Sequence, residues 1–385
     1  FKQKTAYEIM PSLVGSEMCI RDSLGDMLEL GKKSKKFHKE LSAVINRSLS
    51  GIMRASRQLY PESRVYGADH GMEGLISGKI PELTNISSIA LSSLDSAPGA
   101  ALGSTRHKLR EEDIKPIFDT LDHHNIGILH IIGGNDSALT GVEISAAARR
   151  SGYQLQVVNV PKTIDNDLVM TDHCPGYGST ARFISQATLG VGRDALAMGI
   201  ASPITIMEVM GRDAGWIAAS ASLYKRDARD PPHFIGVPEL PFEEESFLIQ
   251  IEDAYRRHGY AVAIISENIR GPSGSVIGKS DPWHIDDFGH PYFDSPARIL
   301  AQKVTERIGV RCRYEKPGTI QRSLIDSTSS TDWAEAHIVG KAAVEAAATG
   351  QTDIIVTLER AQSDKYTSRT GSSPCLLYTS PSPRD

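Results

Sequence analysis

Residues 126–167 read IGILHIIGGNDSALTGVEISAAARRSGYQLQVVNVPKTIDND. Ile126–Ile132 is an apolar run that predicts a buried strand ending at two glycines, and Ser137–Ser151 has helical spacing. Tyr153–Val160 returns to the pattern of a strand. A strand, a helix and a second strand of these lengths predict a parallel βαβ unit. Open α/β sheets bind their ligands at the carboxyl ends of such strands, so the two loops in this stretch are candidate binding loops.

The same alternation continues along the rest of the chain. It predicts strands over Ile204–Val209, His233–Val237, Ala261–Ser266 and Ile354–Leu358, and helices over Ala214–Tyr224, Glu243–His258, Asp294–Ile308 and Trp333–Ala348. This number of units predicts an α/β fold of two Rossmann-like domains, with mainly parallel sheets and an active-site cleft between them. Gly271–Gly278 is expected to be a flexible loop. Pro282–His290 is expected to be a surface excursion rather than a metal site, because no helical or hairpin spacing fixes its histidines and aspartates.

The two ends of the chain resemble translated sequencing-adaptor DNA. Residues 13–23 read LVGSEMCIRDS, and residues 375–385 read CLLYTSPSPRD. With suitable codons, the DNA of the second segment encodes the first when it is read on the opposite strand in a shifted frame. Residues 1–23 and 375–385 are therefore expected to be adaptor-derived and are left out of the fold prediction.

Composition restricts the class of protein. The 385 residues carry 42 basic and 47 acidic side chains, a formal charge of -5, and this mild acidity argues against a nucleic-acid surface. No apolar run approaches the roughly 18 residues that a membrane span needs. Cys174 and Cys312 are the cysteines outside the adaptor-like ends, and they have no paired spacing. A reducing, cytoplasmic compartment is therefore expected.

Three strand ends carry the polar motifs that indicate chemistry. The first is Gly133-Gly134-Asn135-Asp136-Ser137, where glycines let backbone amides approach an anion and a helix N-terminus adds positive charge. A plain strand-to-helix turn, with Asp136 or Ser137 as N-cap, explains this motif equally well.

The second motif is Pro161-Lys162-Thr163-Ile164-Asp165-Asn166-Asp167. A turn stabilised by Asp and Asn is the alternative, but a turn does not require a lysine, a threonine and two carboxylates together. A lysine beside carboxylates at a ligand-binding edge is suited to a phosphate group and a divalent metal.

The third motif is Glu208-Val209-Met210-Gly211-Arg212-Asp213. Arg212 before a helix is suited to holding a phosphate or positioning a sugar. A salt bridge from Arg212 to Asp213 or Glu208 is the alternative. Three such motifs on three strand ends are more specific than any one of them.

From Val44 to Arg369 the chain resembles the phosphofructokinase family. On the donor side the resemblance implies that Asp165 takes the proton of the sugar 1-hydroxyl and that Asp167, with Asn135, holds Mg²⁺. It implies further catalytic roles for Lys162, Asp136 and Arg106, the last in Gly103-Ser104-Thr105-Arg106. The donor phosphates are expected to contact Gly133, Gly134, Asn135, Asp136, Ser137 and Lys162.

On the acceptor side, the resemblance implies that fructose 6-phosphate is the substrate. The residues that match the family's sugar-phosphate positions are Thr163, Asp165, Met210, Gly211, Arg212, Glu267, Arg313 and Arg322. Arg313 and Arg322 are expected at the 6-phosphate, and Glu267 at the sugar hydroxyls. The expected assembly is a homo-oligomer, a dimer or a tetramer.

Two positions bear on the phosphoryl donor. ATP-using members resemble GGDGS, with glycine in place of Asp136, and usually have glycine in place of Lys162. A carboxylate at Asp136 would repel the α-phosphate of a nucleotide, whereas Lys162 suits a compact and highly charged donor. Pyrophosphate is therefore the predicted donor, with ATP as the alternative. Asn135 departs from the aspartate of many members, so the metal side carries less charge.

The family begins with a strand and a glycine-rich loop, which the segment before Val44 does not resemble. The predicted division is a phosphoryl-donor domain of residues 24–176 and 322–369, without that strand and loop, and a sugar-phosphate domain of residues 177–321. Weak folding or little turnover is expected of the chain as written. A non-catalytic regulatory subunit is another alternative. A lipid or NAD kinase that shares only the Gly-Gly loop is disfavoured by Met210-Gly211-Arg212 and by Gly318-Thr319-Ile320-Gln321-Arg322-Ser323.

Overall fold

The structure is a computed structural model, and it describes residues 44–95, 97, 99–105, 107–278, 284–285, 291–292 and 294–378. The strands are β1 (Ile128–Gly133), β2 (Gln156–Pro161), β3 (Ile204–Val209), β4 (Phe234–Gly236), β5 (Ala261–Ser266), β6 (His284–Ile285), β7 (Pro291–Tyr292), β8 (Cys312–Glu315), β9 (Ile354–Arg360) and β10 (Ser368–Pro374). The α-helices are α1 (Val44–Leu59), α2 (Met72–Ser77), α3 (Ser88–Leu94), α4 (Glu111–His123), α5 (Asn135–Ser151), α6 (Tyr177–Met198), α7 (Trp216–Ser220), α8 (Glu244–His258), α9 (Pro296–Ile308), α10 (Ile320–Ser323) and α11 (Ser330–Ala348).

Two four-stranded sheets organise the described residues. The first sheet has the order β1-β2-β9-β10, in which β10 alone is antiparallel to its neighbour. The second has the order β4-β5-β3-β8, and its strands are all parallel. The predicted α/β class with mainly parallel sheets is confirmed. The predicted domain boundaries near residues 176 and 321 stay a prediction.

Each sheet is covered by helices on both faces, which is why its central strands are mostly apolar. In the second sheet every residue of β3 and β5 is buried. Phe247 of α8 and Leu300 of α9 pack on one face, and Ile184 of α6 and Ile217 of α7 pack on the other. The first sheet is covered by α1 and α11 on one side and by α4 and α5 on the other.

Helices α1 and α11 touch backbone to backbone. A Cβ atom added at Gly51 would lie 2.3 Å from the carbonyl oxygen of His337, and one added at Gly340 would lie 2.1 Å from that of Ser48. Only glycine fits at either position, because both distances are far below a van der Waals contact.

The predicted strands Ile204–Val209 and Ala261–Ser266 are confirmed residue for residue. The predicted helix over Ala214–Tyr224 is shorter, because α7 ends at Ser220 and a 3₁₀ turn continues to Tyr224. The strand predicted from Tyr153 begins only at Gln156. Most of Pro282–His290 lies outside the described residues, and the part that is described pairs β6 with β7.

The sequence pattern did not predict α6, which spans 22 residues. Its buried face is built from small or weakly apolar side chains, so its apolar periodicity is faint; these are Thr180, Ala181, Ser185, Thr188 and Gly192, with Ile184 and Ala195. Strand β8 was missed as well, because an edge strand of sequence Cys-Arg-Tyr-Glu carries charge where a central strand would be apolar. Among the described residues, no helix is long and apolar enough to cross a membrane.

Candidate active site between the two sheets

A cleft of about 2390 Å³ runs along the outer edge of β1, beside α1 and α2, and continues to the carboxyl ends of strands from both sheets. Its wall includes residues from all three sequence motifs. The predicted site residues that line it are Gly133, Gly134, Asn135, Asp136, Ser137, Lys162, Thr163, Asp165, Asp167, Met210, Arg212, Glu267 and Arg322. The structure therefore brings most of the predicted site together in one place.

The loop after β1 presents a helix N-terminus to this cleft. Helix α5 begins at Asn135, and its N-cap is Gly134, which provides no side-chain cap. The alternative in which Asp136 or Ser137 caps the helix is thus wrong. A Cβ atom at Gly133 would lie 2.0 Å from Ser137 Oγ, so the turn requires glycine there. A first turn without a side-chain cap can bind an anion through its amide groups.

The loop after β2 is tied to its surroundings at both ends. The Lys162 amide donates to the Gly133 carbonyl at 3.0 Å, which joins the two loops. Thr163 pairs with Gly176 across an isolated parallel bridge. Asn166 adopts a left-handed backbone (φ 54°), and its Oδ1 accepts from the Cys174 amide at 2.8 Å. The backbone that carries the two aspartates is therefore fixed from within its own loop.

Burial and charge shift the titration of this loop. Burial raises the pKa of Asp165 to about 6, helped by the negative charge of Asp167 and opposed by Arg212. Burial lowers the pKa of Lys162, and the charge of Arg322 adds to this effect. Perturbed groups that converge in a cleft are typical of functional sites. A carboxylate with a pKa near 6 is a stronger base than a solvent-exposed aspartate.

Asn135 and Asp167, the two residues predicted to hold a metal, are hydrogen-bonded to each other. Asn135 Nδ2 donates to Asp167 Oδ2 at 2.9 Å, and Thr163 Oγ1 lies 3.4 Å from Asp167 Oδ1. Burial raises the pKa of Asp167; the charge of Arg212 and the hydrogen bond from Thr163 oppose this rise, and the charge of Asp136 adds to it. No cluster of three or more His, Cys, Asp or Glu ligands is found within the described part of the chain. One carboxylate with an amide oxygen fits Mg²⁺ when phosphate oxygens complete the coordination.

Arg212 reaches across the cleft from the second sheet. Its Nη1 lies 4.0 Å from Asp136 Oδ2, and both side chains are largely exposed. The alternative pairing with Asp213 or Glu208 is wrong, because Asp213 pairs with Arg270 at 2.8 Å and Glu208 with Lys316 at 2.6 Å. The guanidinium is therefore directed to the loop where donor phosphates are expected.

The backbone at Arg212 is held in an unusual conformation. Gly211 has φ 130° and Arg212 has φ 49°, and the Arg212 amide donates to Glu267 Oε1 at 3.2 Å. Side chains rarely adopt such positive φ values, and they cluster at functional sites. Glu267 on the loop after β5 therefore both lines the cleft and stabilises the turn that aims Arg212.

The two arginines predicted at the 6-phosphate lie in different places. Arg322 is exposed and lines the cleft, next to Gln321, whose Oε1 accepts from the Met210 amide at 3.2 Å. Arg313 on β8 instead pairs with Asp194 of α6 and does not belong to the cleft wall. The role of Arg313 stays a prediction.

Arg106 lies outside the described residues, although its neighbours Gly103, Ser104 and Thr105 line the cleft. Lys316 also lines the cleft and was not predicted. The signal that could have found Lys316 is its place in Lys-Pro-Gly-Thr, directly before the predicted motif of Arg322. A lysine at a turn that follows a strand of the binding edge is a candidate phosphate ligand.

Comparison with known proteins agrees with this geometry. The family described as PFK, phosphofructokinase, matches residues 40–347. The pyrophosphate–fructose 6-phosphate 1-phosphotransferase of Rhodospirillum rubrum is 37% identical over 325 residues, which are 83% of this chain and 80% of that protein. The enzyme of the same name from Xanthomonas campestris pv. campestris is 35% identical over 332 residues, 85% of this chain and 79% of that protein.

A solved structure gives the same result for the fold. The pyrophosphate-dependent phosphofructokinase of Marinobacter aquaeolei superimposes with a TM-score of 0.78 at 33% identity, and the match covers 88% of this chain and 81% of that chain. With its two facing sheets, its strand-end motifs and a family match over most of its length, the chain belongs to the phosphofructokinase family.

Proposed function

We propose that this chain transfers a phosphoryl group from pyrophosphate to the 1-hydroxyl of fructose 6-phosphate, giving fructose 1,6-bisphosphate and phosphate. One observation carries the proposal. The acidic 161–167 loop of the first sheet converges in the cleft with Arg212 and Arg322, which follow strands of the second sheet. The relatives that share 35–37% identity with it are named for this reaction.

The chemistry follows from the positions of these groups. Asp165 accepts the proton of the 1-hydroxyl as the sugar oxygen forms its bond to the phosphorus atom and phosphate leaves. General base catalysis of this kind contributes on the order of 10²–10⁴-fold. Lys162 and Arg212 balance the negative charge of the transferred group, because phosphoryl transfer depends mainly on positioning and on charge neutralisation. Arg106 is proposed for the same task.

Mg²⁺ is the proposed cofactor. Asp167 and Asn135 would hold it, and it would neutralise charge on the donor oxygens. The raised pKa of Asp167 supports this assignment, since a buried carboxylate beside the negative charge of Asp136 is stabilised by a cation.

Asp136 and Lys162 support pyrophosphate over ATP. The Asp136 side chain is 84% exposed to the cleft at the start of α5, where a longer nucleotide donor would have to pass. Lys162 lies in the neighbouring loop and adds a cation for a compact donor. The acceptor subsite is proposed to comprise Thr163, Met210, Gly211, Arg212, Glu267 and Arg322, with Arg313 as a further contact.

A donor comparison tests the proposal. Purified chain is assayed with fructose 6-phosphate, Mg²⁺ and either pyrophosphate or ATP, in a coupled assay that detects fructose 1,6-bisphosphate. The ratio of the two rates is used because it does not depend on the active fraction of the preparation. We expect pyrophosphate to be favoured by at least about tenfold in kcat/KM, from the repulsion of the nucleotide at Asp136. A ratio in favour of ATP would mean that ATP, and not pyrophosphate, is the donor.

The same assay distinguishes an enzyme from a non-catalytic regulatory subunit. Such a subunit would show no turnover with either donor, in both the forward direction and the reverse direction with phosphate and fructose 1,6-bisphosphate. Thermal stabilisation by pyrophosphate and Mg²⁺ provides an independent measure of donor binding.

We also propose an assembly and a location for the chain. Leu196, Met198 and Ile200 are exposed together at the end of α6, and an apolar patch of this kind supports a homo-oligomer. The free thiols of Cys174 and Cys312 support a reducing cytoplasmic compartment. Light scattering after size-exclusion chromatography measures the first, with a monomer at all concentrations as the contrary result.

A further inference from the structure

A buried ionic cluster lies beside the cleft, centred on His173. The imidazole Nδ1 contacts Glu335 Oε2, and Nε2 lies 3.3 Å from Asp332 Oδ1. All three residues are buried, with Asp332 at 0% and Glu335 at 3% exposure. The two carboxylates are three residues apart on α11 and so point from the same helix face. A helix that buries two carboxylates requires a compensating charge.

The two carboxylates also accept hydrogen bonds from two other segments. Asp332 accepts from the amides of Gly178 and Ser179 at 3.3 and 2.6 Å, in the first turn of α6. Glu335 Oε1 accepts from Tyr366 Oη at 2.7 Å and from Ser368 Oγ at 2.5 Å. The cluster therefore joins the loop that carries His173 to α11, to α6 and to the β9–β10 connection.

His173 is also connected to the loop of Asp165. The next residue, Cys174, donates its amide to Asn166 Oδ1 at 2.8 Å. On the other side, the Asp172 amide donates to the Leu358 carbonyl at 2.8 Å, and Thr171 Oγ1 exchanges hydrogen bonds with Leu358. A shift of the His173 ring would thus move the segment that supports the left-handed residue between the two aspartates.

We propose that His173 is a positioning residue for phosphoryl transfer, which fixes the loop of Asp165 and Asp167 against α11 and the first turn of α6. Because α6 packs on the second sheet, the contact sets the position of the general base relative to the sugar-phosphate side. The assignment rests on the proposed function, but the cluster itself can be tested without turnover.

The charge of the imidazole is part of the proposal. Burial alone would lower the pKa of His173, but the hydrogen bonds to Asp332 and Glu335 outweigh burial and raise it to about 9. The other titratable groups that face the ring are Tyr177 of α6, with ring centroids 6.1 Å apart, and Tyr366, at 6.3 Å. At neutral pH the ring is therefore an imidazolium between two carboxylates.

The first test is a charge-matched rescue. His173→Gln removes the positive charge and is expected to lower kcat by roughly 10- to 100-fold, with the KM of both substrates changed far less, because misplacement of a base acts on the chemical step. Adding Glu335→Gln removes one of the two unbalanced charges and is expected to recover about tenfold or more. Glu335→Gln alone is the control. The proposal would be overturned if the double variant recovered no activity. A ring that only filled space would be missing from both variants, and Glu335→Gln would not restore its packing.

The second test needs no turnover. In wild-type chain with isotope-labelled histidine, the His173 ring is expected to remain protonated at pH 7.5, and a neutral ring at that pH would contradict the proposal. A histidine whose pKa rises from about 6.5 unfolded to about 9 folded adds stability that is complete below pH 6.5 and lost as the pH rises through 9.

The melting temperature of the wild type is accordingly expected to fall between pH 7 and pH 9.5 more steeply than that of the His173→Gln/Glu335→Gln variant. If the melting temperatures of the wild type and the double variant fall in parallel with pH, the ionic role of His173 is overturned. This comparison holds even if the single variant His173→Gln fails to fold. A wild type that shows these pH effects but neither turnover with pyrophosphate nor thermal stabilisation by pyrophosphate and Mg²⁺ would refute the proposed function and leave the cluster intact.

Discussion

At each of the two edges of the cleft a non-glycine residue adopts a left-handed backbone, but different groups stabilise it. The donor edge, named for its proposed role, is the 161–167 loop, where Asn166 has φ 54°; the sugar-phosphate edge is the loop of residues 210–213 with Glu267 and Arg322, where Arg212 has φ 49°. Asn166 is held by the amide of Cys174 within its own loop, whereas the amide of Arg212 is held by Glu267 from a neighbouring strand. The donor edge is therefore preformed, while the other edge depends on a carboxylate that is itself proposed to bind the substrate.

The charges of the two edges differ in the same sense. The donor edge gathers half-buried carboxylates whose pKa values are raised by burial, which favours a bound cation. The sugar-phosphate edge presents exposed guanidinium groups at Arg212 and Arg322. Substitutions at the donor edge are therefore expected to change the chemical step, and substitutions at the other edge are expected to change substrate affinity.

The largest effect is expected for Asp165→Asn. The amide cannot accept the proton of the 1-hydroxyl, so kcat is expected to fall on the order of 10²–10⁴-fold with little change in the KM of fructose 6-phosphate. Steady-state kinetics with pyrophosphate measure it. Asp172→Asn in the same segment is the matched control, because Asp172 is bonded to the Arg360 amide away from the cleft. Equal losses in both variants would remove Asp165 from the chemistry.

The next effect concerns donor choice. Asp136→Gly combined with Lys162→Gly removes the repelling carboxylate and the added cation. The ratio of kcat/KM for ATP to that for pyrophosphate is expected to rise roughly 100-fold, each change contributing about tenfold. The two single variants show whether the contributions add. An unchanged ratio would mean that other residues select the donor.

A smaller effect is expected at the opposite edge. Arg322→Ala should raise the KM of fructose 6-phosphate roughly tenfold with kcat changed less, because it removes a charged contact to the substrate phosphate. Arg307→Ala is the control, since Arg307 pairs with Glu245 and Glu252 on the surface. A rise of equal size in Arg313→Ala would place Arg313 at the substrate despite its pairing with Asp194.

The smallest effect is expected at Asn166. Two substitutions there separate the contribution of the hydrogen bond to Cys174 from the cost of the left-handed backbone. Asn166→Gly loses the hydrogen bond to Cys174 but tolerates the left-handed backbone, so the free energy of unfolding should fall by about 1 kcal/mol. Asn166→Ala also strains that backbone and should lose about 1–2 kcal/mol more. Urea denaturation measures both. Equal stabilities would show that the loop relaxes to another conformation.

Much of this architecture could be predicted from the sequence for a definite reason. Strands β3 and β5 are buried on both faces, so their apolar runs mark their ends without ambiguity. The cleft residues followed from the rule that ligands bind at the carboxyl ends of such strands. The pattern of small residues in α6 concealed a helix, because burial there depends on close packing rather than on hydrophobicity.

Other features required the folded chain. Asp332 and Glu335 have the sequence context of solvated helix residues, and only the approach of His173 shows that they are buried. Arg212 could equally have paired with its sequence neighbours, and its contact to Asp136 depends on the separation of the two sheets. Arg313 matched a family motif, but its orientation is set by Asp194 on the helix that the pattern missed.

The crossing of α1 and α11 has a mechanical consequence. At Gly51 and Gly340 the two helix backbones meet without an intervening side chain, so the distance between the two helices is fixed at this crossing. A helix is stiff over this length, and the same α11 carries Asp332 and Glu335 near its start. A side chain added at Gly340 is expected to displace α11 at that point, and the contacts of Asp332 and Glu335 with His173 would transmit the displacement toward the 161–167 loop.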